Sequence, residues 1–112
     1  MAYSEYLADR IRQDLKDKRV VFEEKKMMGG LCFLVDGKMC AGVVAESLMA
    51  RIGPEAHDLA LGKKGCREMD FTGRPMKGYV FVDSEGIDTD KDLAEWLQLC
   101  IDFNPKAKAS KK

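Results

Sequence analysis

Apolar residues recur along this chain with two different periods, and the changes of period mark the elements. Near the N-terminus, Tyr3, Leu7, Ile11 and Leu15 fall four apart, an apolar stripe at helical spacing. Ser4 can cap that helix by accepting from an orphan backbone N–H, and the basic run 16–19 closes it favourably against the helix dipole. Beyond residue 20 the pattern turns strand-like. Segments 20–22 and 25–28 predict short extended stretches, and 31–35 and 39–44 are apolar runs separated by Asp36-Gly37. Asp-Gly between two apolar runs signals a tight hairpin, because both central residues need positive φ. Segment 47–52 follows Ala45-Glu46 as a further antiparallel neighbour, so the region reads as a meander.

The helical period then returns. Gly53-Pro54 opens a short helix, with Pro at the first helical position where no N–H bond is lost. Ala56, Leu59 and Ala60 form its expected inner face, and Gly62 its expected left-handed stop. Residues 67–70 predict a short strand, 79–82 a clear one and 83–87 a turn. Thr89 or Asp88 caps a last helix, in which Leu93, Trp96, Leu97, Cys100 and Ile101 recur at i, i+3, i+4, i+7 and i+8 before Asn104-Pro105 ends it. Several strands, mostly antiparallel, with N-terminal, middle and C-terminal helices, give an α+β domain.

Composition narrows the class. At 112 residues, 46% hydrophobic and 34% charged, the chain is one ordinary globular domain able to bury a core without staples. No apolar run reaches membrane-spanning length and no secretory leader is evident, so a cytoplasmic location without membrane contact is expected. Net charge is zero, but four of the 19 basic residues lie in the tail 104–112, which has no acid. The body therefore holds 15 basic against 19 acidic residues, which disfavours direct nucleic-acid binding. Segment 105–112 reads as a disordered basic tail on a 1–104 domain.

Candidate chemistry is sparse. Cys32, Cys40, Cys66 and Cys100 are widely spaced, and His57 is the only histidine, so no metal or cofactor is expected. Cys32, Cys40 and Cys100 lie in apolar runs as small hydrophobes, whereas Cys66, between Lys64 and Arg67, could have its thiolate favoured. His57 reads as a surface helix residue, and the acids from Asp83 to Glu95 as caps and solvated surface. Two segments mix glycines, cations and methionines in a way a core rarely needs: Lys25-Lys26-Met27-Met28-Gly29-Gly30-Leu31-Cys32-Phe33 and Met69-Asp70-Phe71-Thr72-Gly73-Arg74-Pro75-Met76-Lys77-Gly78. Neither is a dinucleotide fingerprint or a phosphate loop. With Arg51, which faces away from Leu48, Ala50 and Ile52, they supply Lys26, Arg51, Arg74 and Lys77 as candidate anion- or partner-binding residues.

These two segments, together with Met49-Ala50-Arg51-Ile52-Gly53-Pro54 between them, resemble the N-terminal domain of the TfoX/Sxy family in motif and order over about residues 1–104. The resemblance implies an α+β domain with an antiparallel sheet, similar to YjbR-like double-wing proteins. It also implies a bacterial cytoplasmic protein. The name-giving members regulate natural competence with the cyclic-AMP receptor protein and carry a second, helical domain, so a stand-alone first domain is expected here. The first functional expectation is therefore a non-enzymatic module acting through a protein partner, including a second copy of itself, in a transcription-linked role. The alternative is a protein or enzyme that binds a small anion through the four basic residues.

Overall fold

The computed structural model of the chain describes residues 3–27, 29–70 and 75–106, with the backbone alone at 27, 69–70 and 75–77. The first helix, α1 (Glu5–Asp17), starts where the Ser4 hydroxyl accepts from the Leu7 N–H at 3.2 Å. Its buried face is Leu7, Ala8, Ile11 and Leu15, so the expected stripe gains Ala8 and loses Tyr3, which precedes the helix and bridges to Ala45. Four strands follow as a meander: β1 (Glu23–Met27), β2 (Gly30–Val35), β3 (Lys38–Val44) and β4 (Ser47–Arg51). Segment 20–22 lies outside the strands, and Val21 is exposed. The β2–β3 turn is the one Asp36-Gly37 calls for, with φ of 59° and 76°.

The helix α2 (Pro54–Leu61) leads to β5 (Cys66–Asp70), and β6 (Pro75–Val82) returns between β5 and β4. The sheet order is β1-β2-β3-β4-β6-β5, antiparallel throughout. The helix α3 (Asp90–Phe103) is capped by Thr89, whose hydroxyl accepts from the Asp92 N–H at 3.0 Å. Its end is pinned to the sheet by Asn104, whose Nδ2 donates to the Val35 carbonyl at 3.1 Å. This confirms the α+β class with three helices on a six-stranded antiparallel sheet among the described residues.

The sheet has two unlike faces. On one, Leu31, Phe33, Leu48, Ala50, Val80 and Val82 pack with Ile11, Leu15, Leu93, Trp96, Leu97 and Cys100 of the helices. Burying each large aliphatic side chain contributes about 1.5–3 kcal/mol, so this is where the stability resides. On the other face Cys32, Met39 and Met49 are buried among Leu34, Val44, Tyr79 and Phe81, with no helical residue in the cluster. A bulge accounts for Cys40. Phe33 pairs with Ala41 and Leu34 with Met39, so Cys40 is the extra residue and packs on the helix side.

Three expectations for the middle helix need correction. Gly62 ends α2 with φ −82°, not in the left-handed region; Gly65 takes φ 79° instead. Leu59 is 79% exposed. His57, read as a surface residue, is 3% exposed and forms the inner face with Ala60. The cause is the Gly78 backbone. Its N–H donates to His57 Nδ1 at 2.9 Å, and its carbonyl accepts from Ile52 at 2.8 Å and Gly53 at 3.1 Å. Because Nδ1 accepts, the ring proton sits on Nε2, which faces Glu68 Oε2 at 3.3 Å. His57→Ala orphans a buried N–H and should destabilise the fold by about 1–3 kcal/mol in urea denaturation. Glu68→Gln, at a solvent-exposed partner, should shift the midpoint by well under about 1 kcal/mol.

Candidate functional site

Of the four basic residues singled out from the sequence, the two with described side chains, Lys26 and Arg51, do not converge. Lys26 pairs with Leu31 on the helix side of edge strand β1, beside Glu24, which accepts from Arg12 of α1 at 2.6 and 2.9 Å. Arg51 lies on β4, three strands away and on the opposite face. Lys77 places its backbone in β6 next to Gly78. Arg74 lies outside the described residues. The doublet Gly29-Gly30 closes the β1–β2 hairpin, where Met27 pairs with Gly30, so those glycines serve the turn.

Of Lys26 and Arg51, Arg51 is the one that lines a cavity. It stands directly opposite Tyr79 in the β4–β6 ladder, and its guanidinium carbon lies 5.3 Å from the Tyr79 ring centre and 6.0 Å from that of Phe103. The guanidinium is thus held by two aromatic rings, an attraction of about 0.5–2 kcal/mol. One N–H donates to the Met39 carbonyl at 3.3 Å. The floor needs two glycines. Gly53 has φ 90° and Gly78 φ 95°. A Cβ on Gly53 would strike the Phe103 ring, and one on Gly78 would sit 3.1 Å from Gly53 and Pro54 backbone atoms. Together with Lys106 these residues line a cavity of about 230 Å³. A second cavity of about 280 Å³ shares Gly53, Pro54, Phe103 and Lys106, and extends over Ile52, Ala56 and Leu99 with Glu55 and Asp102 at its rim.

A second arginine is stacked on the same face. Arg67 lies 4.9 Å from the Phe81 ring centre, and its guanidinium grips Asp83 through contacts of 3.0 to 3.2 Å. That grip, with a 2.7 Å bond from the Ser47 hydroxyl, holds the Asp83 carboxyl below the usual carboxylate range. The face thus reads Arg51–Tyr79, Met49, Phe81–Arg67 across β4, β6 and β5.

With the geometry in place, the comparison with known families is decisive for fold membership. Residues 17–104 match the TfoX N-terminal domain. The chain belongs to that family. No curated protein and no solved structure gave a significant match. In this TfoX N-terminal domain no helix among the described residues is long and apolar enough to cross a membrane. No group of three His, Cys, Asp or Glu among them is arranged to hold a metal ion.

Three of the domain's cysteines, Cys32, Cys66 and Cys100, are held as thiols by their surroundings. Burial pushes Cys32 up to about 11. Cys40 and Cys100 hydrogen-bond to each other; Cys100 keeps its proton, raised well above an ordinary thiol, and Cys40 is lowered by that bond and by the nearby Arg51. Cys66 is the correction. Its basic neighbours were expected to favour a thiolate, yet burial and then Asp83 push it up to about 11, and Arg67 is turned to Asp83. An ordinary thiol at 9.0 carries about a hundredfold more thiolate at neutral pH. Cys66 should therefore alkylate with iodoacetamide about a hundredfold more slowly than a free thiol at pH 7, with the rate climbing as pH approaches 11. Mass spectrometry of timed samples reads this directly, and fast neutral labelling would overturn it.

Proposed function

We propose that this TfoX N-terminal domain is a regulatory interaction module, not an enzyme, and that a protein partner docks on the strand face around Met49. The observation that carries the reading is the pair of stacked arginines, Arg51 on Tyr79 and Arg67 on Phe81, flanking Met49 on the face that only the end of α3, at Phe103, reaches among the described residues. Arg, Tyr and Phe are among the residues enriched in interface cores. Stacking orders two long side chains in advance, which reduces the entropy lost on binding. The partner presents apolar groups to Leu34, Val44, Tyr79 and Phe81.

The chemistry of the domain supports a binding role over turnover. Its one histidine has both ring nitrogens engaged inside the fold, and Cys40 and Cys100 are buried against each other. Family membership supports a role alongside transcription in the bacterial cytoplasm, with cyclic-AMP-receptor-dependent promoters as the setting.

Photo-cross-linking tests the docking face. A photoreactive residue replacing Val44 should trap one partner, whereas the same residue replacing Leu59 on the helical side should not. With that partner purified, Tyr79→Glu and Phe81→Glu should each weaken binding about tenfold or more, and Leu59→Glu should leave it unchanged. Equal trapping at both positions, or full binding by the face variants, rules the reading out. A trapped species of twice the chain mass identifies the partner as a second copy.

A further inference from the structure

We propose that the cleft spanning Arg51 and Phe103 is a binding site for a small monocarboxylate with an apolar tail. Arg10, Arg12 and Arg67 each form an ion pair with a carboxylate. Arg51 is also partly buried, yet among the described residues no carboxylate reaches it. A cation removed from bulk water without a counter-ion is left short of solvation, and an anion restores it. The two rings hold the guanidinium, and among the described residues the Met39 carbonyl is the one acceptor its N–H donors meet. A planar, fixed fork suits a planar, bidentate carboxylate. Lys106 adds a second positive charge on the cavity wall.

Size and charge define the rest of the ligand. The head cavity, about 230 Å³, suits a small head group. Beyond Phe103 the adjoining cavity offers Ile52, Ala56 and Leu99, a surface for a short hydrocarbon tail. Glu55 and Asp102 at its rim repel a second negative charge, which selects a monoanion over a dicarboxylate or phosphate dianion. The site shares Arg51 and Tyr79 with the docking face, but hexanoate binding is read on the chain without a partner, so its failure and that of the docking reading are separate results.

Amide NMR titration of the full chain with sodium hexanoate tests the site, with adipate, inorganic phosphate and hexylamine as comparison probes. Hexanoate should shift the amides of Gly53, Gly78, Tyr79 and Phe103 in a saturable way, and the other three probes should bind at least about tenfold more weakly. Arg51→Gln should weaken hexanoate about tenfold or more, and the exposed Lys106→Ala a few-fold. The wild-type shift map tests the location even where a variant folds poorly. No saturable shift at these amides, equal binding of phosphate or adipate, or full affinity in a well-dispersed Arg51→Gln spectrum would overturn the proposal.

Discussion

The backbone of one glycine ties the functional end of this molecule together. Gly78 donates to His57 of α2 and accepts from Ile52 and Gly53, where β4 gives way to that helix. The three bonds fix strand β6, the end of β4 and the start of α2 relative to one another. A side chain at 78 would press on the Gly53–Pro54 backbone, and one at 53 would displace Phe103. The cleft beside Arg51 exists because two residues without a Cβ allow this crossing to close. His57 is consumed by the crossing, which is why the single histidine is structural.

Arg51 depends on that crossing for its surroundings. Cross-strand pairing delivers Tyr79 to one side of its guanidinium, and the end of α3, held by the Asn104–Val35 bond, delivers Phe103. Aromatic contact and a single carbonyl bond hold the charge in place without neutralising it. Arg67 shows the opposite arrangement on the same face: it too lies on a ring, but Asp83 neutralises it. Among the described residues the face therefore carries one guanidinium paired with a carboxylate and one that is not, which distinguishes its two ends.

Much of the fold was legible in local pattern. The Ser4 and Thr89 caps, the Asp36-Gly37 hairpin and the apolar stripes of the first and last helices all depend on residues within a few positions of one another. The short middle helix was misread for the same reason that it is short. Eight residues offer few apolar positions, so a polar contact outside the helix, Gly78 to His57, decided its buried face over Leu59. Cys66 was misread because its sequence neighbours are basic, whereas burial first and then the spatially adjacent Asp83 set its chemistry.

The candidate site was legible only in part. Alternation in 48–52 showed that Arg51 faces away from the core, and that reading survives. Its partners lie 28 and 52 positions further on, at Tyr79 and Phe103, and no local period links them. Grouping Lys26 with Arg51 failed because a residue's side of the sheet depends on its register across three strand pairs. The sequence by itself determined the elements, their caps and turns, and the family, because those follow from spacings of a few residues. Only the tertiary structure decided which charges meet, since β6 returns between β4 and β5 and brings Tyr79 against Arg51 by long-range pairing.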